Sequence, residues 1–350
     1  MSHGRGLASG IGGLVSDMIA KHRHPSDSNN SYTGSSQSYA PHAPTAYFIA
    51  SGNPLGSNAP ALTPIVTPDA VPIPPTALLY SLSHPDPTTC ERTRFFFECL
   101  PDPVGTAYHA MWFARNFLTL PQQQDMATWR HRTIDVLLED KPGLAWTSGG
   151  RITISLQWCN NLLNDCRSGK RTMQDCTFEF KGVILHELVH VVQRDGSGSA
   201  PGWLIESIAD SVRMAAHLGP PHWRKPGQAR RDKGWEDAYD AGANFLMWIM
   251  GAVDEDASWG PSSSVAAFAS PSAIWSAPAA QATQYPSSWG PPPPVPPRPG
   301  NYKSRRPPIP EFVQYLDARL AGERYNDIWW YEMTGASLPQ LWSEYMDYYA

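Results

Sequence analysis

The run from Val183 to Arg213, VILHELVHVVQRDGSGSAPGWLIESIADSVR, constrains this 350-residue chain more than any other stretch. His186, Glu187 and His190 stand in it among Val183, Ile184, Leu185, Leu188, Val189, Val191 and Val192. A helix that is apolar on every side belongs in a core. Burying a polar group there without a partner costs about 2–7 kcal/mol. Whatever encloses this helix must therefore supply partners for two imidazoles and a carboxylate.

The three polar residues spell H-E-x-x-H, from His186 to His190. Residues four apart share a helix face, so both imidazoles reach one point. At that point a metal ion is the natural shared partner. Glu187, beside the first imidazole, is placed to act on a metal-activated water as general base. A chance match in a chain of this length has a probability of roughly one in a hundred. The alternative is a pair of core histidines satisfied by backbone carbonyls, which needs three separate partners inside an apolar helix.

A catalytic zinc takes three protein ligands and leaves one position open. The extended pattern H-E-x-x-H-x-x-G-x-x-H is ruled out, because Gln193 and Gly196 stand where its Gly and third His would fall. The downstream run WLIESIAD offers Glu206 and Asp210, again four apart among apolar residues. Glu206 is the expected third ligand. Asp210 is expected to accept the free ring N–H of a ligand histidine. The competing reading is a first-turn glutamate favoured by the helix dipole, followed by a solvent-facing aspartate. The Gly/Ser loop over 195–202 lets the chain reverse between a helix opening near 183 and a second over about 203–217.

Around this centre the chain reads as mixed α and β. VGTAYHAMWFARNFL (104–118) has helical spacing, TIDVLLED (133–140) reads as a strand, and RITISLQW alternates over 151–157 after the Ser148-Gly149-Gly150 turn. Phe312, Leu316 and Leu320, then Leu338, Leu341, Trp342 and Tyr345, predict C-terminal helices. Strands first and helices after suggest an α+β layer arrangement. Much of the 35 Pro and 27 Gly falls in two segments. Residues 1–64 are expected to be a disordered arm with a short amphipathic helix near the start. Residues 65–350 are expected to form one domain, interrupted by a Pro-rich low-complexity insertion over 252–308. A net charge of −5 without a Lys/Arg stripe argues against nucleic acid as partner. No run is apolar enough to span a membrane. The N-terminal stretch, broken by Gly10, Gly12, Gly13 and Asp17, makes a poor signal peptide, so location is left open. Five cysteines leave room for one or two disulfides but do not make a disulfide scaffold.

Several blocks, in order, resemble the basic secretory protein family of plants and fungi, a group regarded as zinc peptidases on the gluzincin side of the zincins. They are GLAWTSGGRITIS (143–155), HELVHVVQRDGSGSAPGWLIESIADSVR (186–213), PPHWRKPGQ (220–228), WEDAYDAGANFLMWI (235–249) and the C-terminal FVQYLDARL…YNDIWWYEMTGASLPQLWSEY (312–345). The chain departs from the family in its acidity, in its two low-complexity segments, and in Ser207, where a glycine usually follows the ligand glutamate.

The resemblance implies a zincin-like α+β domain with an N-terminal mixed sheet and a helical C-terminal part. It implies one Zn2+ per chain on His186, His190 and Glu206, with Asp210 behind the ligands and Glu187 as base in peptide-bond hydrolysis. Tyr239 is a candidate donor to the oxyanion, with a packed tyrosine as the alternative. His222 and Trp223 are candidates for the cleft wall, although Pro220, Pro221 and Pro226 favour loop packing. Strand 151–157 is expected to be the edge that pairs with an extended peptide or protein substrate. The rival from another class is a non-catalytic zincin-fold binding protein that presents its Pro-rich segment to SH3-like or WW-like partners.

Overall fold

The computed structural model describes residues 79–120, 131, 133–230, 232–237, 239–251 and 306–350. The arm expected over 1–64 lies outside them, as does all but the end (306–308) of the insertion expected over 252–308.

Four strands form one mixed sheet: β1 (Leu79–Ser83), β2 (Thr133–Glu139), β3 (Ala145–Ser148) and β4 (Arg151–Ser155). Their spatial order is β1-β2-β4-β3. The β1/β2 and β2/β4 pairs are parallel, and β3/β4 is antiparallel. The parallel β1-to-β2 step needs a crossover. Helices α1 (Glu91–Cys99) and α2 (Pro103–Leu118) lie in that connection. Strands and helices therefore interleave at the start of the domain instead of segregating, while the α+β class with a mixed sheet holds.

The expected strand 151–157 stops at Ser155. Its hydroxyl oxygen accepts from the backbone N–H groups of Gln157 and Trp158 at 3.1 and 3.2 Å, capping helix α3 (Leu156–Arg167). An N-cap serine satisfies orphan donors of the first turn, so the alternation ends where the cap begins. A second correction concerns the edge. β4 is enclosed between β2 and β3, and the antiparallel edge is β3. At four residues, β3 is too short for its alternation to be read from sequence.

Helix α4 (Met173–Val192) begins ten residues earlier than the apolar run suggests. Thr172 and Asp175 form a capping box: Asp175 N–H donates to the Thr172 hydroxyl (3.1 Å) and Thr172 N–H to the Asp175 carboxylate (2.8 Å). Helix α5 (Gly202–Ala215) returns across α4. The crossing uses Gly182: a Cβ there would lie 2.4 Å from the Arg213 guanidinium. That buried guanidinium meets Glu179 at 3.3 Å and donates to the Leu218 carbonyl at 2.9 Å.

A 3-10 turn (Gly234–Asp237) leads into α6 (Tyr239–Met250), buried at every position from Asp240 to Met250. Helices α7 (Phe312–Leu320), α8 (Ile328–Thr334) and α9 (Leu338–Tyr348) close over it. Phe245 lies against Trp330, Trp342 and Tyr345, with ring centroids 5.2–6.0 Å apart. All five cysteines are free thiols. Burial pushes Cys159 up to about 12 and Cys176 up to about 11, so they pack as neutral apolar groups. Among the described residues, no helix is long and apolar enough to cross a membrane.

Candidate metal centre

The last two turns of α4 aim His186 and His190 at the first half of α5. The imidazole rings meet edge to face, with centroids 4.7 Å apart and planes at 87°. Their Nε2 atoms are 3.1 Å apart. Glu206 Oε2 completes a triangle, 3.1 Å from His186 Nε2 and 3.6 Å from His190 Nε2. This is the one group of three metal-ligating side chains clustered this way among the described residues.

Both rings are oriented from behind. His186 Nδ1–H donates to Asp210 Oδ1 at 2.7 Å, and the Asp210 side chain is only 3% exposed. The Gln193 side-chain amide lies 2.7 Å from His190 Nδ1. Both Nε2 atoms are thereby turned inward, as ligand histidines require.

The electrostatics of the triangle call for positive charge. Burial lowers the affinity of His186 for its proton, but Asp210 and Glu206 outweigh burial and hold its imidazolium well above the ordinary range. Burial raises Glu206, yet His190 and His186 hold its carboxyl well below the usual carboxylate range. A cation supplied in place of a proton satisfies the same atoms. Zinc–ligand bonds of about 2.0–2.2 Å at tetrahedral angles set ligand atoms roughly 3.3 Å apart. The observed edges of 3.1, 3.1 and 3.6 Å fit that size. The donor set of two imidazoles and one carboxylate fits zinc as well.

Glu187, 5% exposed, leaves α4 toward the edge strand. Thr147 of β3 donates its hydroxyl to Glu187 Oε2 at 2.7 Å and lies 3.0 Å from the Glu187 carbonyl oxygen. One carboxylate oxygen is thereby pinned. Tyr239, the first residue of α6, lies nearly parallel to the His186 ring, with centroids 6.4 Å apart and planes at 19°. Burial raises its phenol strongly, and the charges of Glu206, Asp210 and Glu187 add to this. It is held as a neutral O–H, a donor.

The structure thus brings together His186, His190, Glu206, Asp210 and Tyr239, with Glu187 on the same helix turn. His222 is exposed, and Trp223 packs under the Arg213 guanidinium, 5.0 Å from ring centroid to cation. That is the loop-packing reading of the pair. Thr147 and Gln193 were missed. They carry no local signal, because each is defined by what it meets and not by its own neighbours.

Fold and site together define an α+β peptidase-like domain built around a histidine–glutamate helix pair. Residues 90–257 match the model of a family described as a peptidase of plants and bacteria, which supports a member of the basic secretory protein family. The match stops short of the C-terminal stretch 312–345, in which further family blocks were read. No curated protein and no solved structure matches the chain.

Proposed function

We propose that this protein is a zinc-dependent peptidase, with His186, His190 and Glu206 as the metal ligands. The observation that carries the reading is the triangle of inward-turned donors at 3.1–3.6 Å, one residue away from a carboxylate pinned by a hydroxyl. When bound, zinc supplies Lewis acidity, activating a water and polarising the scissile carbonyl. Glu187 takes the water's proton and returns it to the leaving amine. Thr147 keeps one Glu187 oxygen occupied, so the other faces the reaction. Tyr239 donates its phenol hydrogen to the carbonyl oxygen as negative charge builds there. Asp210 and Gln193 hold the two ligand rings in register. The edge strand β3 offers its outer backbone groups to an extended peptide. The binding-only alternative gains nothing from a pinned general base, and its Pro-rich segment lies outside the described residues.

Glu187→Gln tests the reading. Glutamine fills nearly the same volume but accepts no proton, so the zinc ligands stay while the base is lost. Cleavage of a peptide library, followed by mass spectrometry, should fall by about 10²–10⁴-fold at unchanged zinc content. Wild-type turnover retained in the zinc-loaded variant would remove Glu187 from the mechanism. A wild type that binds no zinc would remove the metal.

A further inference from the structure

Tyr239 occupies a backbone conformation that its type rarely adopts. Its φ is +46°, in the left-handed region, where a bulky side chain is strained unless its surroundings fix it. Such strain persists only where neighbouring contacts over-determine it. Those contacts are visible. Asp237, two residues before, and Asp240, one residue after, bracket Tyr239 with carboxylates whose side chains are 3% and 11% exposed.

One guanidinium joins the two. Arg224, from the loop after α5, pairs through Nη1 with Asp237 Oδ2. It forks onto Asp240, with Nη2 at 2.5 Å from Oδ1 and Nε at 3.1 Å from Oδ2. Its backbone N–H donates to the same Asp240 Oδ2 at 2.8 Å, and its carbonyl accepts from Asn244 Nδ2 at 2.9 Å. Arg230 holds the other side of Asp237, with Nη2 at 2.7 Å and Nε at 3.0 Å from Oδ1. The left-handed turn is therefore clamped on both flanks, and the ring it presents lies beside His186.

We propose that Arg224 is a positioning residue that acts through Tyr239, bridging Asp237 and Asp240 so that the phenol faces the metal centre. This rests on the reading of Tyr239 as donor to the carbonyl oxygen. The guanidinium itself is assigned no contact with substrate or metal ligands. Its planar fork is what the site uses; a lysine can meet one carboxylate but cannot span two with the same geometry.

The test uses the full-length zinc-loaded protein as wild type, Arg224→Gln, Arg224→Lys, Tyr239→Phe, and the Arg224→Gln/Tyr239→Phe double variant. Zinc content and cooperative melting are measured on each. In Arg224→Gln, kcat should fall about 10–100-fold with KM and zinc content within about twofold, since small misplacements of a reacting group cost on this order. The double variant should be no slower than Tyr239→Phe alone, because residues in one chain of action are not additive. Multiplicative losses in the double variant would overturn the inference.

A second readout needs no activity. In protein carrying 13C-labelled tyrosine, the ring resonance that disappears in Tyr239→Phe belongs to Tyr239. It should move in Arg224→Gln, and an unmoved resonance overturns the inference. Should Arg224→Gln lack a cooperative melt, Arg224→Lys carries both arms, with a smaller kcat loss and the same shift expected. Full kcat in Tyr239→Phe would defeat the donor reading while leaving the resonance to decide the positioning.

Discussion

Asp237 shows how much one carboxylate can hold. It accepts from the side chains of Arg224 and Arg230 and from the Arg230 backbone N–H, while its own side chain is 3% exposed. Burial raises its pKa, and the two arginines outweigh burial to bring it below the ordinary 3.8. A carboxyl lowered on folding contributes stability that is fully present above its unfolded value and lost as pH falls through the folded value. Asp237→Asn should therefore be less stable than wild type at pH 7 by about 1–3 kcal/mol. The gap should close as pH drops below about 4. Urea melts at pH 7, 5, 4 and 3 measure it, and a gap that stays constant across that range would show that the lost term is packing and not charge. The same scale explains what was readable in the sequence. His186, Glu187, His190, Glu206 and Asp210 declared themselves by being polar where their helices are apolar. Arg224, Thr147 and Gln193 sit in polar or mixed surroundings, where polarity is no anomaly. Their roles depend on partners brought to them by the fold: Asp237 and Asp240 for Arg224, Glu187 for Thr147, and His190, one helical turn away, for Gln193.

The α5–α6 pairing depends on close approach at one point. A Cβ built on Gly242 would stand 1.8 Å from Ser207 Oγ and 2.8 Å from Ser207 Cβ. Ser207 is also the position next to Glu206 where the resemblance led us to expect glycine. The serine fits because its hydroxyl folds back and donates to the Trp203 carbonyl at 2.6 Å. The pair can then hold one small side chain and one glycine, but not two side chains. Gly242→Ala gains helix propensity of about 1 kcal/mol and loses more to overpacking, typically about 1–3 kcal/mol. It should lower the melting temperature, and Ser207→Gly in the same chain should restore most of the loss. Melting of the two single variants and the double variant decides this. A Gly242→Ala protein as stable as wild type would mean that the helices sit further apart. At this scale legibility depended on length. The long periodic helices could be read, with bounds shifted by caps at Thr172 and Ser155. Strand β3 could not, and so the edge of the sheet was assigned one strand too far in.

Across the whole molecule, the family match ends at residue 257, but the core does not. Trp330 and Tyr345, both fully buried, come from helices beyond that point and pack on Phe245 of α6. Without them α6 would expose Phe245, Trp248 and neighbouring side chains. At about 1.5–3 kcal/mol for each large apolar side chain, a handful of such exposures equals the roughly 5–15 kcal/mol by which a domain is stable. The described residues on either side of segment 252–305 already meet. Ile309 N–H donates to the Ile249 carbonyl at 3.0 Å, and a Cβ on Gly251 would lie 3.1 Å from Pro308 Cβ. Closing so short a gap with a few residues costs less entropy than closing it with many, by roughly 2 kcal/mol for a tenfold change in length. Two edits of the full chain should therefore part company. Truncation after residue 257 should give a protein without a cooperative melt or a near-ultraviolet aromatic signal. Replacement of 252–305 by about six Gly/Ser residues should keep both, together with zinc binding and any peptidase activity. If the truncated chain melts cooperatively, the C-terminal helices are an addition to a finished domain. If the linker chain does not, segment 252–305 belongs to the fold that brings Tyr239, Glu206 and the two histidines together.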